Sequence, residues 1–152
     1  MSHLHPTCFS DVRYLSKRIS NYTDMNPKKI WSNLTVSDLD RTTKFYNELG
    51  FKFNGRSEDL TSFLVGEHDF VMHFFLEEKL KANVPIEISD AHLANEIIFT
   101  LSAESAEEVN DWEAAVLNAG GQIISKAAAF GEGYYGCVFS DPDGHKFNVF
   151  YM

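Results

Sequence analysis

Basic residues are scarce in this sequence of 152 residues. It has 13 Lys and Arg residues against 22 Asp and Glu residues, which gives a formal net charge of -9. Proteins that bind nucleic acids neutralise phosphates with clustered Lys and Arg side chains, and anionic membranes attract the same kind of surface. The acidic balance therefore argues against a nucleic-acid partner and against binding to an anionic membrane surface.

The sequence also lacks a disulfide framework, a membrane span and a secretory signal. Its two cysteines, Cys8 and Cys137, are far apart and do not have the spacing of a zinc knuckle. No apolar stretch reaches the roughly 18 residues of a membrane-spanning helix. The N-terminus has no apolar segment typical of a signal peptide. We therefore expect reduced thiols and a cytoplasmic location.

Aromatic residues are abundant, and the hydrophobic content of 44% is enough to build the core of one domain. Residues 1–28 are predicted to form an N-terminal arm, with a short helix that begins at Asp11 behind a Ser10 cap. A more regular pattern begins at Lys29. We therefore expect one domain over residues 29–152.

The pattern predicts a first β-α-β-β-β module over about residues 29–77. Asp38 is a candidate N-cap for a helix over residues 39–49, and Gly50 is a candidate C-terminal stop. Periods of two predict strands over residues 30–36, 51–56, 60–65 and 70–76.

The same order of elements returns over about residues 95–152, after a connection predicted as a loop with one helical turn near residues 77–82. Ser105 is predicted to cap a helix over residues 106–118, with Glu108 at the capping-box position. Strands are expected over residues 96–102, 122–125, 133–140 and 146–151, with a weaker strand near residues 127–130. The sequence therefore predicts an α+β fold of two β-α-β-β-β modules.

Three segments together resemble a known family. They are NLTVSDLDRTTKFYNELGF (Asn33 to Phe51), SAESAEEVNDWEAAVLNAGGQI (Ser102 to Ile123) and GYYGCVFSDPDGHKFNVFYM (Gly133 to Met152). Their order and spacing resemble the vicinal oxygen chelate superfamily of glyoxalases, bleomycin resistance proteins and extradiol dioxygenases, in the branch often labelled predicted lactoylglutathione lyase. The resemblance covers residues 29–152. It implies that the two modules form an incomplete barrel around one cleft, with helices outside, in a homodimer.

The resemblance also implies where a divalent metal ion is held in such a cleft. The four ligand positions of the family fall at Trp31, near His73, near Glu96 and at Asn148. His73 and Glu96 are competent metal ligands, whereas Trp31 cannot coordinate and Asn148 offers a neutral carbonyl. The resemblance therefore implies a degenerate metal site, and no cofactor is expected.

Strand alternation places Asn33 on the face of Trp31, Phe75 on the face of His73 and Phe150 on the face of Asn148. The aromatic content adds Tyr134 and Tyr135 as further candidates for the cleft. The candidate ligand-binding residues are Trp31, Asn33, Phe75, Tyr134, Tyr135, Asn148 and Phe150, and the candidate acid/base pair is His73 and Glu96. An aromatic surface with few polar groups is typical of a small-molecule pocket. We expect a protein that binds or sequesters an aromatic or apolar small molecule.

Two alternatives stay open. The first is a divalent-metal-dependent lyase or dioxygenase that uses His73 and Glu96. The second is an interaction domain whose cleft is filled by its own side chains. Of the remaining residues with reactive chemistry, Cys137 is expected to be a small buried hydrophobe, and the other histidines of the domain are expected to be exposed: His68, His92 and His145.

Overall fold

The computed structural model describes residues 27–152, so almost all of the predicted arm and its short helix lie outside the described residues. The described chain forms eight strands and three helices: β1 (Trp31–Val36), α1 (Leu39–Glu48), β2 (Lys52–Arg56), β3 (Leu60–Val65), β4 (Phe70–Leu76), α2 (Glu77–Asn83), β5 (Ile98–Ser102), α3 (Ala106–Ala119), β6 (Gln122–Phe130), β7 (Tyr134–Ser140) and β8 (Lys146–Tyr151). Within these residues, none of the helices has the length and apolar character needed to cross a membrane.

The N-terminal ends of α1 and α3 confirm the predicted caps at Asp38 and Ser105. The Asp38 carboxylate accepts the backbone N–H groups of Asp40 and Arg41 at 2.9 Å and 3.0 Å. Ser105 Oγ accepts the N–H of Glu108 at 3.1 Å, and α3 stops where Gly120 adopts a left-handed φ of 95°. Residues at the ends of the two helices therefore determine where each helix begins, independently of contacts with distant parts of the chain.

Each module folds into a four-stranded mixed sheet with the same topology. The strand orders are β1-β4-β3-β2 and β5-β8-β7-β6. In each sheet the first pair is parallel and the other pairs are antiparallel. Neither sheet of the described chain closes on itself, so β1, β2, β5 and β6 are edge strands. This arrangement confirms the predicted α+β fold of two repeated modules without a closed barrel.

One face of each sheet packs into a common hydrophobic core, and we call the other the outer face. Helix α1 contacts β3 and β4, helix α3 contacts β6, β7 and β8, and the two helices contact each other. Aromatic rings join the modules through this core: the ring centroids of Tyr46 and Phe147 are 6.1 Å apart, and those of Phe51 and Trp112 are 6.3 Å apart. Side chains on the outer faces point away from the core, so they are available to form a functional site.

Apart from shifts of one residue at other elements, the structure corrects three elements. Helix α2 extends to Asn83, beyond the single predicted turn. Strand β5 begins at Ile98 and not at residue 96, because it pairs with β8 alone and β8 begins at Lys146, the partner of Ile98. Strand β6 runs without interruption from Gln122 to Phe130, where the sequence indicated two separate pieces. Because β5 begins at Ile98, Glu96 does not lie on this strand.

Candidate functional site

A row of polar side chains crosses the outer face of the first sheet. His73 on β4 pairs in register with Asn33 on β1 and with Ser62 on β3. On the far side of the row, Asn54 Nδ2 donates a hydrogen bond to Ser62 Oγ at 3.0 Å. The predicted neighbours Asn33 and His73 are therefore brought together on adjacent strands.

His73 is the one titratable group of this polar row. Its Nδ1 is buried and has no hydrogen-bond partner among the described residues. Its ring lies 6.0 Å from the ring of Phe75, centroid to centroid. Partial burial lowers the pKa of His73 below its ordinary value of 6.5, because desolvation disfavours the imidazolium. The imidazole is therefore neutral at pH 7.

Glu96 lies in the loop before β5 and not on a strand. It is exposed in the segment that precedes β5, and it lines a cavity of about 280 Å³ together with Asn33. Within residues 27–152, no hydrogen bond or ion pair joins Glu96 to His73. The two side chains are thus not bonded to each other in the described chain, and their role as an acid/base pair stays a prediction.

An aromatic cluster occupies the outer face of the second sheet. Its members are Phe130, Tyr134 and Phe150, which come from β6, β7 and β8. The ring centroids of Tyr134 and Phe150 are 5.2 Å apart, and Phe130 lies 6.0 Å from Tyr134 and 5.6 Å from Phe150. Phe130 remains 48% exposed, so the cluster is open to a molecule approaching from solvent.

A cavity of about 440 Å³, which we call the second-sheet cavity, adjoins this cluster and is lined in part by Ile98, Thr100, Ala128, Phe130, Val138 and Asn148. Asn148 pairs in register with Thr100 and with Val138, which places its amide in the middle of the sheet. Gly136 forms part of the floor. A Cβ atom there would lie 2.6 Å from the carbonyl oxygen of Val149 and 3.0 Å from the ring of Phe130. Glycine at this position is what lets Phe130 lie against the sheet.

The structure divides the remaining predicted ligand-binding residues between different surfaces. Tyr135 lies on the opposite face of β7 from Tyr134, where its hydroxyl donates a hydrogen bond to Asn110 Oδ1 of α3 at 2.9 Å. Trp31 and Phe75 belong to the first sheet, and Trp31 is exposed. The lining of the second-sheet cavity comes entirely from the second module.

His145 was predicted to be exposed, and that prediction is wrong. The residue is only 8% exposed, its Nε2 lies 2.7 Å from the backbone carbonyl oxygen of Thr35, and its backbone N–H donates to Asp141 Oδ1. The turn over residues 141–145 folds against the first module, which buries the ring. The same turn receives a 2.8 Å ion pair from Arg41 to Asp143. These contacts tie the modules together.

Phe130 is not among the residues predicted for the site, and the sequence pattern around it predicts only a weak strand. The signal that could have identified it is its aromatic ring at the end of β6, opposite Tyr134.

Cys137 is a confirmed prediction: it is buried, and burial raises the pKa of its thiol to about 11. A thiol with so little thiolate at pH 7 is a poor nucleophile.

The side chains of the two outer faces do not fit a divalent metal ion. The polar row offers one imidazole, two amides and one hydroxyl, and the second sheet adds the amide of Asn148. Structural and catalytic sites for zinc or iron use three or four ligands drawn from His, Cys, Asp and Glu. Within residues 27–152, no group of three or more such residues is arranged to hold a metal ion.

The comparison with models of protein families identifies one family. The family model for the Glyoxalase/Bleomycin resistance protein/Dioxygenase superfamily matches residues 29–149. No curated protein matches the sequence.

Solved structures match over most of the chain. A hypothetical protein from S. aureus is 27% identical, with a TM-score of 0.74, over 84% of this chain and 95% of that one. A glyoxalase-related enzyme from Fulvimarina pelagi is 21% identical, with a TM-score of 0.73, over 83% of this chain and 89% of that one. A lactoylglutathione lyase from Agrobacterium tumefaciens is 22% identical, with a TM-score of 0.61, over 82% and 94% respectively. At these identities the last two show a shared fold alone.

Proposed function

The chain belongs to the Glyoxalase/Bleomycin resistance protein/Dioxygenase superfamily, and from that premise we propose that it binds a small aromatic or apolar molecule in the second-sheet cavity. The observation that carries this proposal is the aromatic cluster of Phe130, Tyr134 and Phe150 at the edge of that cavity. Three rings that leave one side open to solvent offer an aromatic surface on which another ring stacks.

The size and lining of the cavity support the proposal. Its volume of about 440 Å³ lies within the roughly 300–1,000 Å³ of small-molecule pockets. Such pockets combine apolar walls with a few polar groups that orient the ligand. Here Ile98 and Val138 supply apolar wall, and the Asn148 amide and the Thr100 hydroxyl are available to donate and accept hydrogen bonds.

The alternative is a lyase or dioxygenase that depends on a divalent metal ion. The observation in its favour is the unpartnered Nδ1 of His73, since a neutral imidazole is a good metal ligand. Against it stands the chemistry of the neighbouring donors, which are neutral amides and hydroxyls. Neutral amides and hydroxyls are weak ligands for zinc and iron, which favours a binding protein without a metal ion.

A titration with N-phenylnaphthylamine tests the proposal. This neutral aromatic probe becomes fluorescent when it leaves water for an apolar site, and a bound ligand also raises the melting temperature by mass action. We expect saturable binding to the wild-type protein and a loss of at least about fivefold in affinity in Phe130→Ala, because stacking partners contribute about 1 kcal/mol or more.

Phe53→Ala is the matched control, because Phe53 is 49% exposed, close to the 48% of Phe130, but belongs to the first module. Phe53→Ala is expected to keep the wild-type affinity. If the wild-type protein shows no saturable binding, or if both variants lose affinity equally, the second-sheet cavity is not the binding site.

We further propose that two copies of the chain form a homodimer through the outer faces of the sheets. Edge strands β1 and β5 each begin with a large exposed hydrophobic residue, Trp31 and Ile98. Exposed apolar residues on unpaired strand edges are a liability that proteins cover. Because Ile98 also lines the second-sheet cavity, a second copy seated there would help to enclose the ligand. The cytoplasmic location stays a prediction.

A further inference from the structure

A β-bulge interrupts the pairing of β6 with β7 next to the second-sheet cavity. Ser125 pairs with Val138 and Ala128 pairs with Gly136, so Lys126 and Ala127 together oppose the single residue Cys137. A bulge of this kind leaves one residue outside the ladder and turns its side chain away from regular alternation.

The structure shows which of the two residues is displaced. Ala127 packs against the hydrophobic core, and its backbone N–H donates a hydrogen bond to the Glu113 carboxylate of α3. Lys126 instead lines the second-sheet cavity, together with its neighbours Ser125 and Ala128. In regular alternation, adjacent residues point to opposite faces. The bulge therefore places Lys126 beside the cavity, at a position that regular alternation does not assign to it.

Lys126 differs in charge from the other residues that line the cavity. It is the one charged side chain among the described residues that line the cavity, in a protein whose formal net charge is -9. Across residues 27–152 it takes part in no ion pair, whereas six other lysines and arginines in this part of the chain do: Arg41, Lys44, Lys52, Arg56, Lys79 and Lys81. Its ammonium group is thus available to a ligand.

We propose that the ligand of the second-sheet cavity is an aromatic molecule that carries an anionic group, such as a carboxylate or a sulfonate, and that Lys126 pairs with that group. The proposal rests on the proposed function, since it places the ring on the aromatic cluster. The Asn148 amide, which lines the same cavity, is available as a hydrogen-bond donor to the ligand. Lys126 would thus be a specificity-determining residue.

Two fluorescent probes with the same aromatic skeleton test this assignment. Anilinonaphthalene sulfonate is anionic, and N-phenylnaphthylamine lacks the sulfonate. We expect the wild-type protein to bind the anionic probe more tightly than the neutral one. Lys126→Met should weaken binding of the anionic probe by about fivefold, the worth of a partly exposed ion pair, and leave the neutral probe unchanged. Lys126→Arg should keep most of the affinity.

Lys44→Met is the matched control, because it removes the same charge from the exposed surface of α1 in the first module. It should leave the affinity for both probes as in the wild type, and added NaCl should weaken the anionic probe alone. Equal affinity for the two probes, or equal losses in Lys126→Met and Lys44→Met, would overturn the assignment of Lys126. Failure of both probes to bind the wild-type protein would instead overturn the proposed function itself.

Discussion

The hydroxyl of Tyr46 donates a buried hydrogen bond of 2.7 Å to Oδ2 of Asp141, a residue 95 positions further along the chain. The other oxygen of the same carboxylate accepts the backbone N–H groups of Asp143 at 3.0 Å and of His145 at 2.8 Å. Burial raises the pKa of the Tyr46 hydroxyl and that of the Asp141 carboxyl. One fully occupied carboxylate therefore fixes the turn of the second module to the helix of the first.

Tyr46→Phe is expected to lower the free energy of unfolding by about 2 kcal/mol, because it leaves Asp141 Oδ2 without a partner in a buried position. Urea unfolding followed by circular dichroism measures this loss. Tyr151→Phe is the control, since Tyr151 also packs against the core but stands outside the Asp141 network. A loss in Tyr151→Phe as large as that in Tyr46→Phe would contradict the role given to this hydrogen bond.

Local sequence signals predicted most of the fold. The long-range contacts of the turn at Asp141 could not be predicted from such signals. Asp-Pro-Asp-Gly is a sufficient turn signal by itself, and the caps at Asp38 and Ser105 are likewise encoded within a few residues. The partner of Asp141 is a tyrosine on a helix in the other module, which no spacing rule connects to the turn. For the same reason the burial of His145 could not be predicted.

The candidate site was predictable to the extent that its strands alternate regularly. Regular pairing places Asn33 beside His73 and Asn148 beside Thr100, as the period of two requires. The β6 bulge breaks that period, so the place of Lys126 could not be read from the sequence. Glu96 was assigned to a strand face because its pattern continues that of Ile98, but no neighbouring strand extends far enough to pair with it.

His73 is expected to titrate below pH 6.5, the ordinary value for histidine, since burial lowers its pKa. The unfolded chain then takes up a proton near pH 6.5 while the folded protein does not. The free energy of unfolding contributed by His73 is therefore present above pH 6.5, and it falls as the pH drops towards the pKa of the folded state. Nuclear magnetic resonance titration of the imidazole gives the pKa directly.

The stability measurement has its own control. His73→Gln should flatten the decline in stability between pH 7 and pH 5, whereas His68→Gln, which changes an exposed loop residue, should leave the decline unchanged. An imidazole of His73 that titrates above 6.5 would contradict the dominant effect of burial on this group.

Metal analysis tests the alternative function. The donors beside His73 are amides and a hydroxyl, so we expect the purified protein to carry far less than one divalent ion per chain and to keep its melting temperature in EDTA. Added Zn²⁺ should raise the melting temperature of the wild type no more than that of His73→Ala. One bound ion per chain that is lost in His73→Ala or Glu96→Ala would instead favour the metal-dependent lyase or dioxygenase.

Sedimentation equilibrium tests the homodimer. If the outer faces meet, Ile98→Lys is expected to shift the protein towards monomer, because it places a charge on an apolar strand edge that a second copy would cover. Leu117→Lys is the matched control: Leu117 is 58% exposed, close to the 56% of Ile98, but lies on α3. A wild-type protein that sediments as a monomer at all concentrations would rule out the homodimer. Dissociation by Leu117→Lys and not by Ile98→Lys would move the interface to the helices and leave the second-sheet cavity open.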